Sequence, residues 1–187
     1  MDKFLIKGPC KIKGQVLISG SKNAALPILA STILFDKTVT IKNLPRVRDI
    51  DTMLKLLKSL GSKIQFFNNK KTVKIIKNKK QKIFVPYSLV KTMRAGILVL
   101  GPMIAKHQKS ITSLPGGCLI GARPVNYHLS ALKKFGMKYK IKKGYIYANS
   151  KGQLKGANYK FSNISVGATE NSIIAASFAK GKTILKN

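Results

Sequence analysis

A cysteine in a glycine-rich loop is the most reactive side chain that the sequence offers. Cys118 lies within LPGGCLIGAR, residues 114–123, and Arg123 follows it five positions later. Glycines give such a loop the freedom that a closing lid needs, and a nearby guanidinium favours the thiolate form of a cysteine. The loop therefore suggests a functional thiol, although a chance cysteine in a surface turn would look the same in isolation.

Two further cations stand at predicted helix starts. The segments SKN (21–23), KTMR (91–94) and SVG (165–167) each open a stretch of small and apolar residues with helical character. The start of a helix exposes unpaired N–H groups and a positive dipole end, which attract phosphates and carboxylates. Lys22 and Arg94 add charge to two of these starts. The pattern predicts an anion-binding site where the three starts converge; the alternative is that both cations are ordinary surface charges.

These helix starts recur because the sequence repeats itself about every 70 residues. Alternating strands are predicted at 36–45, 108–115 and 180–187, each preceded by one of the apolar helical segments. The repeating unit is helix, strand, loop, helix, strand, strand. Two copies are complete, and a third has begun when the sequence ends at Asn187. We expect an α/β (α+β) fold of repeated units that is incomplete at its end, with one flank left open.

The second helix of each complete unit is amphipathic. Segments 51–61 and 126–136 carry apolar residues at 3.6-residue spacing and stop at Gly61 and Gly136, the usual residue type just after a helix. Two strands follow each helix, at 62–67 and 71–77 and at 137–142 and 144–150, and residues 70–82 are expected to form a solvated strand pair with a lysine-rich outer face. The predicted core residues of the two helices are Met53, Leu54, Leu57, Leu60, Leu129, Leu132 and Phe135.

The loop around Cys118 is an insertion in one copy of the repeat. The second copy is five residues longer than the first between its Leu-Pro pair and its helix-ending glycine. The extra residues are those around the cysteine. Insertions on one face of a repeat are where function usually lies, so we expect Cys118 to be functional.

The net charge of +31 suggests nucleic acid, but its distribution does not. Four of the 36 basic residues are arginines, which leaves 32 lysines scattered through predicted strands, helices and turns. No basic stripe with interleaved aromatic residues is present. We expect surface charge without a nucleic-acid partner, and a basic nucleic-acid-binding domain is the alternative.

The same sequence gives expectations for location. Two cysteines far apart form no disulfide framework, and the N-terminus does not resemble a signal peptide, so a reducing cytoplasmic setting is expected. The most apolar window, 95–105, is broken by Gly101 and Pro102 and is too short to span a bilayer. We expect no membrane association.

Four segments resemble the family of enolpyruvyl transferases that act on UDP-N-acetylglucosamine. They are GSKNAALPILAS (20–31), VKTMRAGI (90–97), SLPGGCLIGARPV (113–125) and SVGATEN (165–171). Members are roughly twice this length, so the resemblance implies that only the first half is present. It also implies two inside-out α/β barrels with the active site between them. Residues 1–21 would belong to the missing second domain, and residues 22–187 would form the UDP-sugar domain.

The resemblance implies a reaction and a set of site residues. The enolpyruvyl group of phosphoenolpyruvate moves to the 3′-hydroxyl of UDP-N-acetylglucosamine, which commits the sugar to peptidoglycan synthesis, without a metal or organic cofactor. Cys118 is the implied general acid, the thiol that forms a covalent adduct, and the target of fosfomycin. Lys22 and Asn23 match residues that bind phosphoenolpyruvate. The matches to UDP-sugar ligands are Arg94, Arg123, Pro124, Val125, Asn126, Tyr127, Asn163, Ile164, Ser165, Val166 and Gly167.

Two of these positions depart from the family, and one catalytic group is missing. Asn126 stands where the family often has Asp, and Asn163 where it often has Lys. The base that deprotonates the sugar lies in the family's second half. We expect no acidic residue beside Lys22, Cys118 or Arg123 to replace it.

Three readings of the chain compete. The 187-residue chain is expected to be inactive alone, as a truncated product or as a split half whose partner is the missing C-terminal half. The sister transferase that acts on shikimate 3-phosphate is the enzymatic alternative, although it lacks the Gly-Gly-Cys loop.

Overall fold

Helices and short strands alternate along the computed structural model, which describes residues 3–78, 81–91, 93–116 and 125–187. The α-helices are α1 (Lys22–Ser31), α2 (Arg48–Ser59), α3 (Tyr87–Val90), α4 (Leu100–His107), α5 (Asn126–Lys134) and α6 (Val166–Ala176). Two 3-10 helices, Thr32–Leu34 and Arg94–Val99, continue α1 and lead into α4. The strands are β1 (Val39–Ile41), β2 (Lys63–Phe67), β3 (Thr72–Ile76), β4 (Phe84–Val85), β5 (Lys109–Ser113), β6 (Met137–Lys142), β7 (Tyr145–Ser150), β8 (Asn158–Lys160) and β9 (Ile184–Lys186).

The first sheet has the order β1-β3-β2 and is antiparallel throughout. In its register Val39 lies opposite Ile75, and Ile64 lies opposite the same residue from the other side. The expected solvated strand pair at 70–82 is wrong. Among the described residues of that range the structure has one strand, β3, which is central in the sheet, and its Val73 and Ile75 are buried.

The second sheet contains four strands and the third contains two. The second has the order β4-β5-β7-β6, with β4 parallel to β5 and the other pairs antiparallel. The third pairs β8 with β9 in parallel. The chain connects the strands of each parallel pair through helices, α3 and α4 in one case and α6 in the other, as parallel connections require.

These parallel pairs correct the predicted repeating unit. The unit was expected to open on its helix, but β4 and β8 show that the second and third units open on a short strand. No corresponding strand precedes α1 among residues 3–21. The strands β4 and β8 are two and three residues long. A pattern with a period of two residues is not recognisable over such a length.

Helices form the interior of the molecule. The helix α1 packs against α2, α6 and the 3-10 helix Arg94–Val99, and α4 and α5 both pack against α6. The predicted faces of α2 and α5 are confirmed, because all seven of their predicted core residues are buried. Gly61 and Gly136, with φ of +108° and +103°, also confirm the two predicted helix ends.

The N-terminal segment differs from the rest of the chain in its exposure. Residues 3–20 contain no helix or strand, and their apolar side chains face solvent, with Phe4 98% and Leu5 99% exposed. The prediction that residues 1–21 belong to a second domain stays a prediction. Among the described helices, none is long and apolar enough to cross a membrane.

Candidate active site

The three predicted helix starts line one cavity of about 660 Å³. The first residues of α1, of the 3-10 helix Arg94–Val99 and of α6 form its wall, together with one side of α5. The predicted convergence is therefore confirmed. The expected site residues in this wall are Lys22, Asn23, Arg94, Tyr127, Ile164, Ser165, Val166 and Gly167.

Serine residues start both α1 and α6. The Ser21 hydroxyl accepts a hydrogen bond from the Ala24 N–H at 3.3 Å, and the Ser165 hydroxyl accepts one from the Ala168 N–H at 3.4 Å. Each hydroxyl satisfies one of the helix's orphan N–H groups. The two N–H groups before each bonded one, those of residues 22 and 23 and of residues 166 and 167, have no acceptor within the helix. They give both starts a positive end toward an anion.

An acidic residue lies beside Lys22, which corrects the expectation that none would. The Lys22 Nζ donates to an Asp49 carboxylate oxygen at 2.9 Å. Asp49 belongs to the first turn of α2, where a negative charge is stabilised by the helix dipole. The two residues are 27 positions apart, so no local sequence pattern indicates the contact. The side chains are 45% and 34% exposed, so the pair contributes little stability and an anionic ligand can compete for Lys22.

A second acid, Glu170, also lines the cavity from α6. Partial burial raises the pKa of its carboxyl above the ordinary value. Sequence reasoning did not single out Glu170. Its position four residues after Val166, on a helix already assigned to the site, was the signal that could have found it.

The expected site residues within 118–127, together with Asn163, divide into three groups. Tyr127 lines the cavity and its hydroxyl accepts a hydrogen bond from the Asn163 amide at 2.7 Å, which joins α5 to the segment before α6. Val125 instead packs against the core, and Asn126 is exposed at the first position of α5. Asn163 is exposed too and is not part of the cavity wall. Cys118, Arg123 and Pro124 lie outside the described residues.

A buried histidine forms the floor of the cavity beside α6. His128 is 7% exposed, and its Nδ1 lies 3.1 Å from the Asn171 Nδ2. Burial, together with the nearby Arg94 guanidinium, lowers the pKa of His128 to about 4. The imidazole is therefore uncharged at neutral pH. Sequence reasoning missed Asn171, although a polar residue in the apolar stretch of α6 was a signal.

The arrangement is suited to holding an anion. Two cations, Lys22 and Arg94, and two helix starts face the same space as the acids Asp49 and Glu170. Within the described part of the chain, no cluster of three or more His, Cys, Asp or Glu residues could hold a metal ion.

Sequence comparisons connect this cavity to known enzymes. The family model of EPSP synthase (3-phosphoshikimate 1-carboxyvinyltransferase) matches residues 6–187. The chain is 63% identical over 188 residues to a protein of Pelagibacter ubique named UDP-N-acetylglucosamine 1-carboxyvinyltransferase. It is 48% identical over 187 residues to a protein of the same name from Acinetobacter baylyi. Each match covers 100% of this chain and 44% of the relative, so the chain spans less than half the length of these relatives.

Solved structures share the fold at low sequence identity. The enolpyruvyl transferase NikO from Streptomyces tendae superposes with a TM-score of 0.76 at 15% identity, over 89% of this chain and 39% of that one. EPSP synthase from Acinetobacter baumannii gives a TM-score of 0.70 at 18% identity, over 92% of this chain and 40% of that one. The mixed helix and strand architecture is therefore that of part of an enolpyruvyl transferase.

Proposed function

The chain belongs to the EPSP synthase family, and from that premise we propose that it is the UDP-sugar half of an enolpyruvyl transferase. The reaction moves the enolpyruvyl group of phosphoenolpyruvate onto the 3′-hydroxyl of UDP-N-acetylglucosamine and releases phosphate. Both substrates are polyanions. The observation that carries the proposal is the single cavity that collects Lys22, Arg94 and the start of α6.

The two helix starts at this cavity suit different parts of the substrates. Lys22 and Asn23 at the start of α1 bind phosphoenolpyruvate, where a carboxylate or phosphate competes with Asp49 for the ammonium group. Arg94, Tyr127 and the segment Ile164–Gly167 bind the UDP-sugar, whose diphosphate takes up the unpaired N–H groups at the start of α6. Val125, Asn126 and Asn163 support the same nucleotide site from its edge.

Cys118 and Arg123 complete the site from the glycine-rich loop, with Pro124 beside them. The thiol of Cys118 protonates the methylene carbon of phosphoenolpyruvate and can form a covalent adduct with it. The same thiol is the group that fosfomycin alkylates. Arg123 contributes a further cation to the diphosphate.

The proposal extends to domain organisation and cellular role. Residues 22–187 form the UDP-sugar domain, and residues 1–21, whose apolar side chains from Phe4 to Ile18 are exposed, pair with a second domain that supplies the base. That second half is the partner the site needs. The product feeds peptidoglycan synthesis in the cytoplasm, and through it cell-wall formation, cell shape and cell division.

The family's own name favours a second candidate, transfer to shikimate 3-phosphate. Sequence identity favours the first candidate. The relatives that are 63% and 48% identical carry the UDP-sugar name, whereas the EPSP synthase structure is 18% identical. UDP-N-acetylglucosamine is therefore the substrate we assign.

The test joins this chain to the remainder of the Pelagibacter ubique relative as one polypeptide and measures phosphate release from phosphoenolpyruvate. We expect turnover with UDP-N-acetylglucosamine, none with shikimate 3-phosphate, and background release from the 187-residue chain alone. Fosfomycin should block the fusion by labelling Cys118 and leave the exposed Cys10 unlabelled. Turnover with shikimate 3-phosphate alone would reverse the substrate assignment, and turnover by the isolated chain would mean that it contains its own base.

A further inference from the structure

A buried amide on α6 ties three helical segments together. Asn171 has no exposed surface, and its Oδ1 accepts a hydrogen bond from the Gly101 N–H of α4 at 2.9 Å. Its Nδ2 donates to the Ile97 carbonyl of the 3-10 helix at 3.2 Å. A Cβ built on Gly101 would lie 2.2 Å from Oδ1, so this close approach requires glycine. The amide cannot rotate without breaking both bonds.

These two bonds decide which end of the amide meets His128. A backbone N–H can only donate and a carbonyl oxygen can only accept, so Oδ1 must face Gly101 and Nδ2 must face Ile97. The atom 3.1 Å from the His128 Nδ1 is therefore the donor Nδ2. The His128 Nδ1 must accept, and in the neutral ring the proton then lies on Nε2.

The Nε2 side of the ring lies at the start of α6. A Cβ built on Gly167 would be 3.6 Å from the His128 Cε1 and 3.7 Å from its Nε2, and both residues line the cavity. No described residue accepts a hydrogen bond from Nε2, although the side chain is more than nine-tenths buried. The charged groups around it are Arg94, which lowers its pKa, together with Glu170 on α6 and Lys22 and Asp49 across the cavity.

We propose that Asn171 is a positioning residue that holds His128 in the tautomer with its proton on Nε2, so that His128 donates a hydrogen bond to a phosphate oxygen at the start of α6. The identity of the ligand rests on the function proposed above, and the tautomer does not. A phosphate would ordinarily draw a second proton onto a histidine. Here a proton on Nδ1 would face the N–H of Asn171, donor against donor, so the ring stays neutral when the anion binds.

The tautomer is measured on the 187-residue chain by NMR of the ¹⁵N-labelled His128 ring, with the substitution Asn171→Asp as the perturbation. In the wild type we expect a protonated Nε2 and an unprotonated Nδ1 at pH 6.5, both free and saturated with UDP. The carboxylate that Asn171→Asp introduces would accept from Nδ1, so the variant should raise the pKa of His128 by at least about two units. A proton on Nδ1 in the wild type, or an unchanged pKa in a folded variant, would overturn the positioning role.

A pair of His128 variants tests whether the His128 Nε2–H donates to the ligand. The same pair keeps the proposal testable if the Asn171 variant does not fold. His128→Gln keeps an N–H near the Nε2 position, whereas His128→Asn keeps the acceptor for Asn171 and has no group near Nε2. We expect UDP to bind the glutamine variant within about threefold of wild type and the asparagine variant at least about tenfold more weakly. Equal affinity of both variants would overturn the donor role.

The same titration separates this inference from the proposed function. UDP and inorganic phosphate are the two probes. If phosphate shifts the His128 Nε2 resonance and UDP does not bind, the nucleotide assignment fails and the donor role stands. If neither probe shifts that resonance while the Nε2 tautomer is present, His128 is not a ligand donor.

Discussion

The helices α1 and α6 begin at corresponding points of two repeats, yet they present different chemistry to the cavity. Both starts are capped by a serine, Ser21 and Ser165. After the cap, α1 continues with Lys22 and Asn23, whose side chains can reach an anion directly. The helix α6 continues with Val166 and Gly167, which leave the backbone N–H groups accessible and bring His128 close. The repeat gives both helix starts the same backbone geometry. The residues after the cap decide whether side chains or backbone N–H groups bind the anion.

The largest expected effect is at the side-chain start. In the fusion described above, Lys22→Gln should reduce kcat/KM by at least about a hundredfold, because a charge that binds phosphoenolpyruvate and stabilises the departing phosphate is lost. The free energy of unfolding should change by less than about 1 kcal/mol, since the side chains of the Lys22–Asp49 pair are partly exposed to solvent. Steady-state kinetics and urea denaturation measure the two effects.

Asp49→Asn is the matched control for Lys22. It breaks the same ion pair and keeps the cation, so kcat/KM should stay within a few fold of wild type. If the two variants lose activity equally, Lys22 acts through the ion pair and not through a ligand, and the contrast between α1 and α6 disappears.

The next effect is a pH dependence of the free energy of unfolding, which we expect from the buried histidine at the start of α6 and not from the start of α1. The folded-state pKa of His128, about 4, lies below the ordinary value of 6.5, so the unfolded chain takes up a proton first as the pH falls. The contribution of His128 to the free energy of unfolding is complete above about pH 6.5 and falls by about 3 kcal/mol between pH 6.5 and 4. Urea denaturation at pH 7, 5.5 and 4.5 should show this loss, and His128→Asn should remove most of it.

One other histidine acts in the same direction, because burial and the nearby charges of Lys77 and Lys106 also lower the pKa of His107. The raised pKa of Glu170 acts in the opposite direction, because a carboxyl that prefers its neutral form in the fold gains stability as the pH falls. Asp36, whose pKa is lowered mainly by its hydrogen bond from Lys106, loses stability at more acidic pH. A pH slope that survives in His128→Asn would assign the acid sensitivity to some group other than the imidazole.

The two starts also show what sequence could and could not predict. The helices α2 and α5, their glycine ends and the convergence of the helix starts follow from local spacing and from the repeat. The strands β4 and β8 do not, because they are short and depend on pairing with β5 and β9. The Lys22–Asp49 and His128–Asn171 contacts join residues 27 and 43 positions apart, and no local pattern encodes them.

A smaller effect should distinguish backbone binding from side-chain binding. Gly167→Ala places a Cβ at ordinary contact distance from the His128 ring, so the variant should fold and gain up to about 1 kcal/mol of stability. The same methyl covers Nε2 and the neighbouring N–H groups, so UDP should bind about tenfold more weakly. Calorimetric titration with UDP measures the affinity.

Asn23→Ala changes the corresponding position of α1 and is the matched control. It should raise the KM for phosphoenolpyruvate in the fusion and leave UDP affinity unchanged. The opposite pattern, with UDP binding weakened at Asn23 and not at Gly167, would exchange the roles of the two starts.

The smallest effect is expected where a cation lies outside the cavity. Lys138 and Lys140 are exposed on β6, opposite Asn149 and Tyr147. Replacing both with glutamine should change the free energy of unfolding by no more than about 0.5 kcal/mol and leave the Kd for UDP unchanged. Any binding of single-stranded DNA should be weak and fall steeply with salt, because it would come from charge alone. If this double variant weakened UDP binding as much as Lys22→Gln weakens turnover, the overall charge and not the cavity would hold the anion. Tight, sequence-selective DNA binding at physiological salt would instead support a nucleic-acid partner.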